Sequence, residues 1–411
     1  MAMMDLASAI SRANAVAAGE ADDGSTIRLA DVDDLGRISR LTGDSIHPET
    51  VAEIWALAAQ STTPLMVVEL DGAVVSTMAV FTGSLDVGGT RLRFCQPEFV
   101  STKPGMRNRG FVARLMAVLH DSALVAGIPI SLLSGLEYFY RQFGYSYAIL
   151  EHGRHILTET PSSVDEAWSC RRATADDIVA MDALQDSVQR HVDVTVSSTG
   201  DRWRWLMALD HYQLVVAEKH DRIEAMARVY VDEDGIELSE TAARSVPAAD
   251  AVLSHVRSDG DGRRITVPDR PGGGSRFLDR RSEIVVERDA FYVRPSSSDL
   301  LIEAMVPAFN DRLARSSFAS WTGPLPISMY TSGLELSIND GVISRITPFN
   351  PESAPPRGDE PAVPPDLLAD LVFSDLGAAG LEQRHPDVQL GTRRRIMSTL
   401  FPPVTADFLL Y

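Results

Sequence analysis

"PGMRNRGFVARLM", residues 104–116, is the stretch that decides how this chain folds. Two arginines flank an asparagine, a glycine follows, and apolar residues then recur at helical spacing. The segment before it, "RLRFCQPEFVST" (91–102), reads as a strand, so the loop leads from a strand into a helix. A helix N-terminus presents unpaired N–H groups and partial positive charge, and so attracts phosphate. Arg107 and Arg109 would add charge-assisted contacts to such an anion, and Gly110 would let the backbone come close to it. Basic residues beside a loop are commonly just solvated, so the flanking elements have to carry the reading.

Upstream, "STIRLADV" (25–32) reads as a strand, and helical spacing follows over 33–60 with a break from Gly43 to Pro48. "PLMVVELDGAVVSTMAVFTGSLDV" (64–87) reads as a hairpin turned at Asp71-Gly72, a type I′ signal. Downstream, the helix runs to about Ala126 and "IPISLLS" (128–134) is a short buried strand. "LEYFYRQFG" (136–144) is a short helix capped by Gly144, and "YSYAILEHGRHIL" (145–157) a closing strand. The order predicts a mixed α/β fold around a strand–helix–strand crossover.

The middle of the chain repeats this theme weakly. "SCRRATADDIVAMDALQDSVQ" (169–189) reads as strand then helix, like residues 26–40. A hairpin and a further strand (212–243), a helix (246–258) and a strand (263–271) follow. Here the crossover, "SETAARSVPAAD", has neither spaced arginines nor a glycine, so this unit reads as a degenerate copy. "RPGGGSR" (270–276) is Gly-rich but lacks the Lys-Ser/Thr ending of a phosphate loop. After Pro295 come a helix (297–315), three short strands (325–347) turned at Asn339-Asp340-Gly341, a Pro-rich loop (349–365) and helices over 366–376 and 392–402. That is a small α+β third domain. The expected division is a partly disordered or loosely helical leader (1–25), then domains at 26–157, 158–295 and 296–411.

Composition narrows the function. The chain has 411 residues and a net charge of −19, which disfavours nucleic acid and suits cationic small molecules. Solubility alone would explain the same charge. No apolar run is long enough for a membrane span, and no basic region precedes an apolar core at the start, so neither membrane insertion nor a signal peptide is expected. The two cysteines, Cys95 and Cys170, imply no disulfide framework, which fits a cytoplasmic location, and the nine histidines show no metal-ligand spacing.

The strand, loop and helix around Arg107-Asn108-Arg109-Gly110-Phe111-Val112 resemble the GNAT N-acetyltransferase fold, whose Q/R-x-x-G-x-G/A loop cradles the pyrophosphate of acetyl-CoA. Val112 replaces the consensus small residue. The chain more closely resembles the Eis-type (enhanced intracellular survival) acetyltransferases. Their R-x-R-G loop is followed by a larger apolar residue, and "FYRQFGYSYA" (139–148) is similar to their "IYGRFGYGPA". "DSIHPET" (44–50) resembles their substrate-side loop, and "TADFLLY" an ending that enters the active site. The resemblance spans about 26–411. It implies an active GNAT domain, a degenerate GNAT domain, a sterol-carrier-protein-like C-terminal domain and a hexamer.

By the same resemblance, Tyr140 is the general acid that protonates the CoA thiolate, and the α-carboxylate of Tyr411 is the base that takes the amine proton. The backbone of Phe99, Val100, Ser101 and Thr102 would pair with the pantetheine arm and polarise the thioester. Ser134 would contact the cofactor from the next strand; polar satisfaction of the strand explains it equally well. Asp44 would pair with a substrate ammonium and Trp55 would wall the pocket, although a capping aspartate and a core tryptophan fit the same pattern. The family's penultimate acid is absent, because Leu410 stands there, so one contact to a polycationic substrate is missing. The expected activity is acetyl-CoA-dependent N-acetylation of a primary amine on an aminoglycoside-like or polyamine-like molecule, with no metal. The alternative is a non-catalytic protein that binds acyl-CoA or an apolar ligand.

Overall fold

The computed structural model describes residues 5–17, 23–43, 63–150, 153–159, 167–196, 200–209, 212–259, 263–273, 282–285, 290–351 and 360–407. The chain forms two compact units, residues 1–149 with 290–404, and residues 150–289 with 405–411.

In the first unit the strands are β1 (Thr26–Leu29), β2 (Leu65–Leu70), β3 (Ala73–Val87), β4 (Thr90–Thr102), β5 (Ile130–Leu133) and β6 (Ser146–Leu150). β1 to β4 pair antiparallel in succession. Asp71 and Gly72 both have positive φ, 51° and 74°, as a type I′ turn requires. β5 runs parallel to β4 after the helix Phe111–Val125, which completes the crossover. That helix buries Phe111, Leu115, Met116 and Leu119 in a core with Met78 and Val80 of β3 and Cys95 of β4. The Ala-rich start is the helix Leu6–Ala17, whose Leu6, Ala9 and Ile10 are buried in the same core. Short apolar residues at helical spacing let two helix backbones approach closely.

The second unit contains β7 (Arg154–Leu157), β8 (Ser169–Arg172), β9 (Val194–Val196), β10 (Tyr212–Lys219), β11 (Arg222–Val231), β12 (Ile236–Ala243), β13 (Ile265–Pro268) and β14 (Ser282–Val285). Its sheet runs β14-β7-β13-β12-β11-β10-β8. The first sheet includes the path β1-β2-β3-β4-β5-β15-β6, where β15 is Ala290–Pro295. The two orders are the same arrangement. β8, β10, β11, β12, β13 and β14 occupy the places of β1, β2, β3, β4, β5 and β6. In each sheet the place next to the fifth strand is filled from a distant part of the chain: β15 in the first, β7 in the second. The strand expected over 145–157 is thus two strands in two sheets, β6 and β7, separated at residues 151–153.

The repeat extends to side chains. Arg28 on β1 donates to Asp34 (2.5 and 2.9 Å) and to Glu69 on β2 (2.7 Å). Arg171 on β8 donates to Asp177 (2.7 and 2.8 Å) and also bonds Glu218 on β10. Asp34 and Asp177 each close a capping box at the start of the following helix. The arginines hold both aspartates below the usual carboxylate range, Asp177 at about 2.

After β15 come the helices Ser298–Ala304 and Val306–Ala314, then β16 (Gly323–Ser328), β17 (Gly333–Asn339) and β18 (Val342–Phe349) in one antiparallel sheet. The helices Leu368–Phe373, Gly377–Arg384 and Arg394–Leu400 follow. Asp340 and Gly341 make the β17–β18 turn with φ of 50° and 72°. In the second unit β19 (Ala406–Asp407) runs parallel to β9.

Candidate active site

The site begins where β4 and β5 part. They are in register at Phe94–Ile130 and Cys95–Ser131, and pair no further among the described residues. A bulge in β4 accompanies the separation. Thr77 faces Ser101 while Ala79 faces Glu98, so β4 has one residue more than β3 across that interval. Phe99 in the bulge has φ of 51°, a left-handed conformation costly for a bulky residue. Beyond the bulge, β4 stays tied to β3: Ser76 Oγ donates to the Ser101 carbonyl at 2.8 Å and lies 2.9 Å from Thr102 Oγ1. Its other edge, toward β5, offers backbone groups that no described strand takes. An extended amide-bearing chain would fit there as one more strand. Phe99, Val100, Ser101 and Thr102 line this edge, and Ser134 is exposed just past the end of β5.

The loop 103–110 leads from this edge to the helix. Gly105, Asn108 and Gly110 all have positive φ, 81°, 64° and 79°. Gly110 is the N-cap, and its carbonyl accepts the first helical bond from Arg114 N–H at 3.0 Å. The amides of Phe111, Val112 and Ala113 lie ahead of that bond, where a helix leaves its N–H groups without α-helical partners. A Cβ on Gly110 would meet nothing within 4 Å, so the space over this cap is open. Arg107, Asn108 and Arg109 are exposed beside it, and neither arginine has an ion-pair partner among the described residues. Phe111 is buried and fixes the helix on the sheet; Val112 is half-buried. Exposed arginines beside the free amides of a helix start can accept an anion.

Tyr140 lies on the 3-10 turn Phe139–Phe143 that follows β5. Gly144 closes the turn in a left-handed conformation, φ 84°. The Tyr140 ring is packed by Phe139 (5.1 Å between centroids), Tyr292 of β15 (5.7 Å) and Tyr145 (6.2 Å). Other tyrosines of this cluster spend their hydroxyls on structure. Tyr145 lies 2.7 Å from Ser131 Oγ and 3.2 Å from His120 Nε2, while Tyr147 and Tyr292 bond each other. His120 stays neutral, since burial pushes it down to about 3. The Tyr140 hydroxyl takes no hydrogen-bond partner among the described residues, although the residue is only 8% exposed. A buried tyrosine normally finds one. Burial, reinforced by the negative charge of Glu98, pushes it up to about 12, so it carries its proton at neutral pH.

Gly135, Glu98 and Tyr292 were not singled out from the sequence. A Cβ on Gly135 would sit 2.6 Å from Tyr140 Cε2, so the glycine makes room for the ring. Tyr292 comes from a strand whose placement no local pattern signals. Asp44, Trp55, Leu410 and Tyr411 lie outside the described residues.

The second unit has the same bulge, between Ala227 and Val229 of β11 and the facing residues of β12. Its cleft is filled. Glu240 at the bulge is buried with Arg202 (2.7 Å) and Arg228 (3.5 Å). The link from β12 to its helix, Val246–Asp259, is only Arg244-Ser245, with no loop to surround a phosphate. Nearby, Arg270 Nε bonds Asp407 Oδ1 at 2.6 Å, and Gln189 Nε2 donates to the Asp407 carbonyl and carboxylate at 2.9 and 3.0 Å.

Among the described residues no cluster of His, Cys, Asp and Glu could hold a metal, and no helix is long and apolar enough to cross a membrane. The family model for the acetyltransferase (GNAT) domain matches residues 26–148. Among curated proteins, none matches this chain. Solved structures do. A protein of Enterococcus faecalis V583, described as a probable N-acyltransferase, is similar with a TM-score of 0.70 and 12% identity over 94% of this chain and 99% of that one. A GCN5-related N-acetyltransferase from Anabaena variabilis has a TM-score of 0.68 and 14% identity over 94% and 100%. Eis1 from Mycobacterium abscessus has a TM-score of 0.60 and 15% identity over 93% and 98%. At such identities the likeness speaks for the fold, and it covers both sheets. Residues 26–148 are therefore an acetyltransferase (GNAT) domain, and the protein is an enzyme of the GNAT acetyltransferase type.

Proposed function

We propose that the protein transfers acetyl from acetyl-CoA to a primary amine of a cationic small molecule, aminoglycoside-like or polyamine-like, by direct attack. The observation that carries this reading is Tyr140: a largely buried tyrosine that keeps its proton at neutral pH and whose hydroxyl has no hydrogen-bond partner among the described residues. The open edge of Phe99 to Thr102 takes the pantetheine arm and polarises the thioester carbonyl. Arg107, Asn108, Arg109 and the amides of Gly110, Phe111 and Val112 hold the pyrophosphate, with Ser134 contacting the cofactor from just past the end of β5. The free amine attacks the carbonyl carbon, the C–S bond breaks, and Tyr140 gives its proton to the leaving thiolate.

The base in this reading is the Tyr411 carboxylate, which accepts the proton that the acceptor ammonium loses. Asp44, Trp55 and Leu410 line the acceptor side, Leu410 without the charge that an acid would bring. The division into a GNAT domain (26–157), a degenerate GNAT domain (158–295) and a sterol-carrier-like domain (296–411) belongs to the same reading, as do a hexameric assembly and a cytoplasmic location. The bulk charge of −19 suits a cationic acceptor.

A CoA-release assay against aminoglycosides, polyamines and small amines tests it, with Tyr140→Phe and a variant carrying one alanine appended after Tyr411. Turnover that falls in both supports acid and base alike. Turnover indifferent to the appended alanine removes the terminal carboxylate from the mechanism, and an unimpaired Tyr140→Phe removes the acid.

A further inference from the structure

Glu98 has no role in the scheme above, yet three observations converge on it. It is the last residue before the β4 bulge, paired across to Ala79. On the paired strands the side chains alternate: Met78, Val80 and Cys95 enter the core beneath the helix Phe111–Val125, so Ala79, Phe81, Gln96 and Glu98 occupy the opposite face. That face is the one covered by the helix Leu35–Gly43, where Ser101 Oγ reaches the Leu41 carbonyl at 3.4 Å. The basic loop 103–110 belongs to the helix on the other face, so Glu98 lies on the face away from the proposed phosphate contacts.

Gln96 supplies the second observation. Its side chain is fully buried, its Nε2 donates to Glu98 Oε1 at 2.5 Å, and its Oε1 has no partner among the described residues. A buried amide half-satisfied in this way is costly unless it does something. Here it holds a half-buried carboxylate next to the bulge of β4. The third is electrostatic: after burial, the charge of Glu98 helps raise Tyr140 and so keep its proton in place.

We propose that Glu98, held by Gln96, is the carboxylate that binds the ammonium group of the acceptor beside the thioester, and so sets the preference for cationic amines. The inference rests on the acyl-transfer reading given above. Glu98 binds the cation before proton loss; it forms no covalent bond and takes no proton.

The test uses the full chain with Glu98→Gln and Glu98→Asp, and spermine as the acceptor probe. A lost charge-assisted contact is worth about ten- to a hundredfold in affinity. The KM for spermine should rise by about that factor in Glu98→Gln, with kcat and the calorimetric affinity for acetyl-CoA little changed. Glu98→Asp should recover part of it. Ultraviolet titration should place Tyr140 lower in Glu98→Gln than in the wild type, a shift that a purely structural role elsewhere would not give. An unchanged KM in a folded Glu98→Gln overturns the proposal. If the wild type acetylates no amine, the transfer reading fails by itself; spermine binding to the CoA-saturated protein then decides. Binding weakened in Glu98→Gln supports the ammonium site, and equal or absent binding overturns it.

Discussion

At the scale of single residues, the proposed site turns on the Tyr140 hydroxyl, which has no hydrogen-bond partner among the described residues. Tyr145, Tyr147 and Tyr292 are bonded to described neighbours, and Tyr140 has no such partner among the described residues. Replacing Tyr140 by Phe keeps the ring packing and should lower kcat by about 10²–10⁴-fold with little change in the acceptor KM. The pH dependence follows from its being pushed from 10.0 up to about 12. The acid form persists well above the ordinary tyrosine range, so Tyr140 should impose no loss of rate near pH 10. For stability the folded state holds this proton more tightly than the unfolded one. The contribution is complete below pH 10 and is lost as pH rises toward 12. Urea unfolding at pH 9 and pH 11 should show the wild type losing more stability than Tyr140→Phe over that interval.

At the scale of elements, the loops and turns do the positioning. Gly135 lies between β5 and the 3-10 turn because the Tyr140 ring occupies the place of a side chain. Gly135→Ala should push the ring aside and lower kcat by about tenfold or more, since small displacements of a reacting group are costly. Gly135 is exposed, so the melting temperature should move little; a loss of both together would show a structural role only. Much of this level was legible beforehand. Asp71-Gly72 and Asp340-Gly341 mark their turns because a type I′ turn needs two positive φ angles, and few residues accept them. The Arg-x-x-Gly entrance to the helix Phe111–Val125 was equally visible, because strand, loop and helix are consecutive in sequence. The segment that the sequence predicts as a helix capped by Gly144 forms a 3-10 turn, Phe139–Phe143, with Gly144 as its cap and Phe139, Tyr140 and Phe143 packed with the core.

At the scale of the whole molecule, the same sheet is built twice and each copy is completed by a strand from elsewhere in the chain. β15 sits between β5 and β6 and brings Tyr292 to the Tyr140 ring. A chain ending after residue 157 would keep every residue of the family match and lose this strand. β5 and β6 would be left as unpaired edges around an open core. Such a fragment should express as an aggregating or unfolded species with no cooperative thermal transition, and a folded monomer by circular dichroism and light scattering would show that β15 is dispensable.

What the sequence determined by itself is the local part: the α/β alternation, the turn glycines, the basic loop at a helix start and the weak second copy. These depend on residues near one another, whose backbone preferences and periodicity are written in order along the chain. It also suggested Tyr140, through the motif around it. What only the tertiary structure decided is that Tyr145, Tyr147 and Tyr292 bond their hydroxyls while Tyr140 finds no partner among the described residues, which face of β4 carries Gln96 and Glu98, and which distant strand fills each sheet. The physical reason is that burial and hydrogen-bond completion are set by partners far apart in sequence. Arg28 with Asp34 and Glu69, and Arg171 with Asp177 and Glu218, show the two levels together. The aspartate lies one short turn away and can be guessed; the glutamate arrives from the neighbouring strand and is fixed only by register.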